Sequence, residues 1–481
     1  MATLPAAQRG HDAAGATIMI PDSGAISPLR GLRQRLKASG RHTSRQSLIG
    51  ALLLMLLGAA LCVAQPWLPL LAAVALLGLL VLLRYLAVAV VVGFVLLSAF
   101  RLHELSPLLL PLRLPQLLAL LALLVLGWRL MIERNLTPFL LAEGKLLLAL
   151  FGVTVLGALL ASNSGLALNY LLGSWIKVVL MCFACSWLLQ QQRHIDWLSW
   201  GIIIAGGVVA LVALYNSHHG LELVEGSRVT IGRSYGSMLG DPNDLALVLL
   251  LPFSFALSRS LQRSQGQWLA TLVVLLLLAA MLATQSRGGL LGLAAISCLL
   301  LVRRFRLPRW LWALAPLLLL LLLSLAGIAE RQSGGAAESG IDESALGRLY
   351  AWQAAFSMML ANPLLGVGLD NFYANYYFHS PHWDGKNHAV HSSWFQVMAE
   401  AGLSGFILFV GFYLLLLRRA FHLLSHADPN GWHLACFAGV VGFGIGGTFL
   451  TQAFTWPLYI MAALIWAQWR ITSENGYANC N

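Results

Sequence analysis

The chain has 481 residues, of which 59% are hydrophobic and only 10% are charged. This balance excludes an ordinary soluble domain, in which charged residues make up about 25% of the chain. The 30 Lys and Arg residues outnumber the 19 Asp and Glu residues, for a formal net charge of +11. Nucleic-acid binding would require a basic soluble domain, and the sequence contains none. The excess positive charge therefore indicates membrane topology and attraction to an anionic leaflet.

Residues 1–46 are rich in Ala, Gly, Ser and Arg and contain no long apolar run. This composition predicts a disordered basic cytoplasmic tail, without the apolar core of a cleavable signal peptide. Residues 47–470 predict one integral membrane unit, and residues 471–481 a short cytoplasmic tail.

The fold class predicted is an all-α polytopic membrane protein, because apolar runs long enough to cross ~30 Å of hydrocarbon recur along the chain. We predict about fourteen transmembrane helices, within a range of about twelve to fourteen, from these runs. The predicted spans are 48–64, 67–83, 85–100, 115–132, 146–161, 175–190, 197–215, 244–258, 268–284, 289–302, 309–326, 402–417, 433–450 and 455–469.

Most of the basic residues fall between spans on one side when both termini are placed in the cytoplasm. This distribution satisfies the positive-inside rule. The main exceptions are Arg101 and Arg113, which share one short outer loop. The chain is thus predicted to be a multi-pass membrane protein with both termini in the cytoplasm and its working face on the outer side.

The one long polar segment covers about 326–402 and is predicted to be the main periplasmic loop. Acidic and hydroxyl residues at 342–344 predict the start of an amphipathic helix, and Asn362-Pro363 predicts its end. The apolar face of this helix is predicted to contain Leu349, Trp352, Phe356, Met359 and Leu360. Gly366-Val-Gly368 predicts a turn. A second helix is predicted to start near His391 and to lead through Gly402 into the next span.

Four arginines of the larger outer loops run against the charge bias: Arg228, Arg233, Arg287 and Arg348. Guanidinium groups match phosphate oxygens bidentately, so together they favour an anionic ligand at the membrane surface. For any one of them, pairing with a nearby carboxylate or contact with lipid head groups explains the residue equally well. The stretch Asp241-Pro-Asn243-Asp predicts a turn and N-cap that start a transmembrane helix.

Four histidines of the long loop occur as two pairs, His379-x-x-His382 and His388-x-x-His391. A zinc site is conceivable, but Pro381 interrupts the first pair, and neither an HExxH-like helix nor a cysteine ligand accompanies them. A single histidine acting as general base is favoured over a metal site. For His379 and His382, interfacial hydrogen bonding is the preferred interpretation.

Taken together, these motifs resemble the O-antigen ligase and O-antigen polymerase superfamily of bacterial envelope glycosyltransferases. The similarity covers roughly 200–420 and includes a motif like the family's His-Asn-x-x-Leu…Glu-x-Gly-x-x-Gly, with Ser392 where the family often has Asn. The matching stretches are Arg233-x-x-Gly236 with Asp241-Pro-Asn-Asp244, Ser286-Arg-Gly-Gly289, Gly347-Arg348…Trp352 with Asn362-Pro-Leu-Leu-Gly-Val-Gly368, and His391-Ser-Ser-Trp…Glu400-Ala-Gly402-Leu-Ser-Gly405.

The resemblance implies transfer of a glycan from an undecaprenyl-diphosphate carrier to an acceptor at the periplasmic face, with inversion and without a metal or other cofactor. The acceptor would be lipid A core, a protein or a growing polysaccharide. His391 would be the catalytic base, and Arg233, Arg287 and Arg348 would bind the donor diphosphate. A second tier of candidates consists of Arg228, Asp241, Asn243, His388 and Glu400.

Two alternatives remain at this point. A repeat-unit polymerase of the same superfamily would use the same donor chemistry as a ligase. A transporter or flippase of lipid-linked glycans would place paired charges or broken helices near the membrane midplane, whereas the predicted spans are largely free of ionisable residues.

Overall fold

The structure is a computed structural model that describes residues 68–105, 107–134, 136–263, 265–305, 321, 343–383 and 385–478. The predicted tail 1–46, the predicted span 48–64, nearly all of the span 309–326 and the first part of the long loop lie outside these residues. The chain separates into two compact units, Met1–Leu83 and Arg84–Asn481. Only the start of the first helix is described in the first unit, and the rest of the account concerns the second.

The described residues form helices with one small strand pair. An antiparallel pair joins β1 (Leu223–Val224) to β2 (Arg228–Val229). The α-helices are α1 (Leu68–Ala99), α2 (Leu114–Trp128), α3 (Ala142–Leu159), α4 (Ser164–Tyr170), α5 (Ile176–Leu188), α6 (Gln192–His218), α7 (Pro242–Ser260), α8 (Gln267–Thr284), α9 (Arg287–Phe305), α10 (Glu343–Ala361), α11 (Phe372–His379), α12 (Ser393–Leu423), α13 (Trp432–Gly446) and α14 (Trp456–Ala478).

Short non-α segments connect several of these helices. A π-turn, Arg129–Glu133, extends α2, and another, Leu171–Trp175, joins α4 to α5. Four 3₁₀ turns precede α2 and α7: Leu102–Leu105, Pro107–Leu112, Arg233–Tyr235 and Met238–Gly240.

Seven helices of the described residues are long and apolar enough to cross a membrane: Leu114–Glu133, Ala142–Leu159, Ser164–Leu188, Gln192–His218, Gln267–Thr284, Arg287–Phe305 and Ser393–Leu423. The predicted all-α, multi-pass membrane class is confirmed by this result. The number of fourteen spans stays a prediction. One pair of the predicted spans is wrong. The ranges 67–83 and 85–100 were predicted as two spans, but α1 is a single helix over this part of the chain.

Successive helix ends meet on two opposite faces of the bundle. One face, here called the loop face, carries the segments 100–113, 219–241, 285–286 and 362–392. Contacts between distant loops, such as Ser237 Oγ to Glu104 Oε2 at 2.6 Å, join these segments. On the opposite face, Arg259 donates to Asn430 Oδ1 at 3.0 Å and Arg470 to the Leu189 carbonyl at 2.7 Å.

Helix α7 lies in the interior of the bundle, packed against α6, α8, α9 and α13. Its buried residues include nearly the whole run from Leu245 to Ala256. A helix that is apolar all round is one surrounded by protein or lipid rather than by water. Because α7 begins on the loop face at Pro242, the burial of this helix fixes the position of Asp241 and Asn243.

A buried ion pair holds α3 to α12 near the opposite face. The carboxylate of Glu143 has 1% side-chain exposure and accepts both Nε and, at 3.1 Å, Nη2 of Arg419. The Arg419 guanidinium also lies 4.6 Å from the ring centroid of Trp469 on α14. This bidentate geometry satisfies both charges where water has little access.

Replacing Glu143 with Ala is expected to destabilise the protein by about 3–5 kcal/mol, because it leaves the Arg419 charge buried and unpaired. Thermal unfolding of the purified protein in detergent would measure the change. The control is Glu133→Ala at an exposed position on the same face, expected to change stability by less than ~1 kcal/mol. Equal melting temperatures for the two variants would contradict the assigned role of the pair.

Candidate functional site

The path of the long loop is set by a backbone crossing at a break in α12. Gly402 interrupts this helix with φ 66° and ψ −168°, and Leu403 N donates to the Pro363 carbonyl at 2.8 Å. A Cβ at Gly402 would lie 2.7 Å from the amide nitrogen of Gly366, and one at Gly366 would lie 2.3 Å from the Ala399 carbonyl oxygen. Both positions therefore require glycine for space as well as for positive φ.

Glu400 anchors the turn that follows this crossing. Its side chain is 4% exposed, and its carboxylate accepts the backbone amides of Asp370 and Phe372. Gln396 donates to Glu400 Oε2 at 3.4 Å. The described contacts of this second-tier candidate are thus those of a loop anchor within the protein.

Asn371 ties the same turn to the connection between α3 and α4. Its Oδ1 accepts Asn163 N at 3.0 Å and Ser162 Oγ at 3.1 Å, and its Nδ2 donates to the Asn163 carbonyl at 3.2 Å. Asn375 donates to Ser162 Oγ at 2.8 Å. The loop is therefore held by α12 on one side and by the α3–α4 turn on another.

Helix α10 ends at Ala361, as the Asn362-Pro363 signal predicts. Of its predicted apolar face, Met359 is buried, while Leu349, Phe356 and Leu360 are 45%, 48% and 62% exposed. The other buried residues of α10 are mostly small: Ala351, Ala354, Ala355 and Met358. Small side chains permit close helix approach, whereas large apolar ones are at no disadvantage facing lipid.

A second hydrophobic cluster gives the loop its own core. It joins the small residues of α10 to Phe372 and Tyr376 of α11 and to Val390. Trp352 stacks on Phe395 of α12, with ring centroids 5.1 Å apart and planes 12° apart. Because Val390 is 1% exposed, this cluster fixes the residue directly before His391.

His391 lies at the start of α12 in a left-handed conformation, with φ 46°. The helix begins two residues later than the predicted position, at Ser393, and Ser392 is its N-cap. Ser393 N donates to the Gly447 carbonyl at 2.7 Å and Ser393 Oγ to the Leu450 carbonyl at 2.7 Å. A strained backbone held by buried neighbours is a feature that clusters at functional sites.

The electrostatic surroundings of His391 connect it to three predicted site residues. Burial lowers the pKa of its imidazole below the usual value of 6.5, and the positive charge of Arg348 lowers it further. The carboxylate of Asp241 acts in the opposite direction, while His388 again lowers the pKa. His391 is therefore close to Arg348, Asp241 and His388, and its imidazole is neutral near pH 7.

Asp241 caps α7, as the sequence predicts. Its Oδ1 accepts Asn243 N at 2.7 Å and Asp244 N at 3.3 Å. Asn243 Oδ1 accepts the hydroxyl of Ser286 at 2.9 Å. This bond places Arg287, the first residue of α9, beside the start of α7.

Arg228 is 5% exposed and contacts several protein groups. Its Nε donates to the Thr284 carbonyl at 3.1 Å, its Nη2 to Asn243 Oδ1 at 2.9 Å, and its Nη1 lies 3.6 Å from Glu225 Oε1. These contacts support the pairing interpretation of this arginine over the ligand interpretation. Asn243, at the centre of the same network, is likewise a structural link.

The three arginines predicted to bind diphosphate differ in exposure. Arg233 is exposed, and its Nη1 donates to the carbonyl of Gly240, next to Asp241, at 3.2 Å. Arg287 and Arg348 are half-buried and both make further contacts within the protein. Arg233 is linked to the start of α7 through Gly240, and Arg287 is linked to it through Asn243. Asp241, which caps α7, lies near His391 and so connects the start of this helix to the histidine.

Two glutamines that the sequence did not single out brace this region. Gln452 N donates to Ser393 Oγ at 3.0 Å, and Gln452 Nε2 donates to Asp244 Oδ1 at 2.6 Å. Gln396 Oε1 accepts Ala453 N at 3.1 Å. They tie the α13–α14 connection to α7 and α12. The only sequence signal for these two glutamines was that each is an isolated polar residue between two predicted spans.

The histidine pairs do not form a metal site within the described part of the chain, where no group of three or more His, Cys, Asp or Glu residues could hold a metal ion. His379 Nδ1 lies 3.2 Å from Ser357 Oγ, and the His382 ring packs on Tyr350 at 4.5 Å. His388 contacts the edge of Tyr376, with ring centroids 5.4 Å apart.

Residues 272–410 match the family model described as O-Antigen ligase. This part of the chain is therefore similar to the O-antigen ligase superfamily, as the sequence motifs predict. The match runs from α8 into α12 and includes Arg287, Arg348 and His391. Arg233 and Asp241 precede it, so the predicted similarity over 200–420 is wider than the match. No curated protein matches the chain.

Similarity to the O-antigen ligase superfamily supports a glycosyltransferase-like membrane enzyme in general terms. It also makes lipid-linked glycans and their acceptors the general class of partner. The geometry is compatible with that class, because the arginines and the neutral histidine lie together on one face of the helical bundle.

Replacing Gly402 with Ala is expected to destabilise the O-antigen ligase region by several kcal/mol, since the new Cβ would be strained and would lie 2.7 Å from Gly366 N. Limited proteolysis and thermal unfolding in detergent would detect the released loop. Gly152→Ala, a helical position with nothing within 4 Å of its Cβ, is the control and is expected to be neutral or stabilising by up to ~1 kcal/mol. A Gly402→Ala protein as stable as this control would disprove the crossing.

Proposed function

We propose that the chain transfers a glycan from an undecaprenyl-diphosphate carrier to an acceptor hydroxyl at the periplasmic face of the bacterial inner membrane. The acceptor is lipid A core, a protein or a growing polysaccharide. The observation that carries the proposal is the neutral His391 held near Arg348 and Asp241 in a strained, half-buried position.

His391 is the general base of the proposed reaction. Its neutral imidazole takes the proton of the acceptor hydroxyl as that oxygen attacks the anomeric carbon of the donor. The bond between the anomeric carbon and the diphosphate oxygen breaks at the same time, and the configuration inverts. The lowered pKa supports this role, because a histidine protonated at neutral pH could not accept the proton.

Arg233, Arg287 and Arg348 stabilise the leaving undecaprenyl diphosphate. Negative charge develops on the diphosphate oxygens as the glycosidic bond breaks, and guanidinium groups bind such oxygens in pairs. Arg348 then has two effects, since it binds the leaving group and adds to burial in lowering the pKa of His391. Asp241 and Asn243 act indirectly by holding the loop ends, and His388 and Glu400 hold the segments on either side of His391.

Ligase and polymerase differ only in what occupies the acceptor position, so both are outcomes of the test below. The flippase alternative has less support. The ionisable residues that surround His391 gather on the loop face instead of in the spans, and α12 is broken where it meets the loop rather than around a midplane site.

The pH profile of transfer provides one test of the charge arrangement. The rate is expected to fall only below pH 6.5, as pH drops through the lowered pKa of His391. Arg348→Gln removes one of the charges that lower the pKa of His391, so the acidic limb of the pH profile should move to higher pH. The maximal rate should also fall by about 10²–10³, because a charge that stabilises the leaving group is lost. Asp241→Asn should move the limb to lower pH while Asn still caps α7.

The measurement is kcat/KM against pH with the full chain reconstituted in vesicles with a lipid-linked donor. Limbs that move in the same direction for both variants, or that do not move, would contradict the proximity of these two charges to His391.

Glycan profiling of a deletion strain tests the transfer itself. His391→Ala is expected to abolish transfer to the acceptor, because the hydroxyl proton has no base to accept it. Accumulation of full-length lipid-linked polymer would identify a ligase, and accumulation of single repeat units would identify a polymerase. His382→Ala, an exposed histidine of the same loop, is the matched control and should support normal glycan.

Both proteins should be compared at equal membrane levels. Normal surface glycan from the His391→Ala protein would remove the base assignment. Loss of precursor export with transfer intact would support the flippase instead.

A further inference from the structure

A cavity with a basic wall opens at the loop face, and none of the residues that line it belongs to the segment of His391. It has a volume of about 270 Å³ and lies between α1, α2, the α4–α5 π-turn and the start of α14. This volume is several times the ~30 Å³ share of one liquid water molecule, so a small polar head group fits. π-turns occur often at functional sites because they widen the helix locally, and Gly173 and Ser174 of this one line the cavity.

The charged side chains of the cavity wall are all basic. Arg101, Arg113 and Lys177 line it, and of the residues that the structure describes no Asp or Glu does. Arg101 pairs with Glu104 at 2.9 Å. Among the described residues neither Arg113 nor Lys177 makes an ion pair, which leaves two uncompensated cations. Arg101 and Arg113 are also the two residues that depart from the positive-inside distribution.

Lys177 lies inside the span Ser164–Leu188 and is half-buried. An ammonium group in a span is costly unless it meets a counter-charge or reaches the interface. The wall that Lys177 faces therefore favours an anionic occupant.

Two buried polar atoms of the cavity wall make no hydrogen bond to any described residue. They are Ser98 Oγ and Arg101 Nε. Buried polar atoms in folded proteins are almost always satisfied by protein, water or ligand. These two atoms, beside two cations that make no ion pair with a described residue, indicate a site that binds an acceptor-rich group.

The surroundings of the cavity point to lipid as the source of that group. Helix α2, which forms one wall, has only 17% of its span buried, and Leu117, Leu120 and Leu124 are 58%, 57% and 61% exposed. Among the described residues, the cavity thus borders a helix with an exposed apolar surface of the kind that faces lipid. A neighbouring lipid on that side would place its head group beside the cavity.

We propose that this cavity binds the phosphate of an anionic membrane lipid, with Arg113, Lys177 and Arg101 as its cationic contacts. Phosphate supplies the acceptor oxygens that the guanidinium, ammonium and hydroxyl groups of the wall require. The proposal does not depend on glycan transfer.

The bound lipid would contact the segment that supports Arg233. Arg101 Nη2 lies 3.3 Å from Met238 Sδ, and the Glu104 carbonyl accepts the hydroxyl of Tyr235. Glu104 also accepts Ser237 Oγ. Arg101, which lines the cavity, and the neighbouring Glu104 therefore contact the loop that carries Arg233.

Native mass spectrometry of the full chain in detergent, with added phosphatidylglycerol or phosphatidylcholine of the same acyl chains, tests the proposal. The wild-type protein should retain phosphatidylglycerol selectively. Arg113→Gln, at an exposed side chain, should weaken the binding of phosphatidylglycerol about fivefold. Arg113→Gln combined with Lys177→Gln should weaken it about thirtyfold, since each cation near a membrane surface contributes on the order of 1 kcal/mol.

The matched control is Arg134→Gln with Lys145→Gln, which removes one Arg and one Lys from exposed positions near the opposite face and should bind as wild type. His391→Ala should also bind as wild type, so failure of the transfer proposal would not be mistaken for failure of this one. Equal lipid binding by both double variants would overturn the site. Displacement by inorganic phosphate at unchanged ionic strength would overturn the assignment to lipid.

Discussion

The contact on which the candidate site depends most is the backbone crossing of Gly366 and Gly402. The loop after α10 passes through the break in α12 so closely that neither position has room for a Cβ. The crossing fixes the turn that Glu400 and Asn371 hold, and that turn begins α11. Because α11, α10 and Val390 share one hydrophobic cluster, the crossing also determines where His391 lies.

The arginines of the loop face divide into two groups by what they contact. Arg228 is buried and bonded to a carbonyl, an amide and a carboxylate, so it holds three loop ends together. Arg348 is half-buried and acts on His391 through its charge. An arginine on this side of the membrane is therefore not by itself a sign of a ligand, and only its surroundings distinguish the two roles.

Local signals in the sequence predicted much of this structure. Asp241 caps α7 and Asn362-Pro363 ends α10 because caps and prolines act within a few residues. The division of α1 into two spans was wrong because Arg84 is a good helix former and no Gly or Pro lies beside it to end the helix. The apolar face of α10 was predicted, but the sequence did not indicate which side of the helix packs in the protein, because lipid does not drive large side chains inward and alanines permit close helix approach.

The remaining features depend on contacts between distant segments. Gln452 braces Asp244 and Ser393 across separations of 208 and 59 residues, and nothing in its neighbours indicates either partner. The break at Gly402 could not be predicted for the same reason, because the sequence contains the glycine but does not indicate the distant segment that passes through the break. Proximity of His391 to Arg348 and Asp241 was an implication of the family resemblance and could not be worked out from spacing.

Helix α12 also links the two faces mechanically. The kink at Gly402 divides its 31 residues into a short segment after His391 and a longer one that contains Arg419. From Gly402 to Arg419 the longer segment measures about 26 Å at 1.5 Å per residue. A tilt of about one degree around Arg419 would move Gly402 by about 0.4 Å, close to the ~0.5 Å within which catalytic groups must be held. The Glu143–Arg419 pair on one side of the membrane therefore helps to fix the crossing on which the position of His391 on the other side depends.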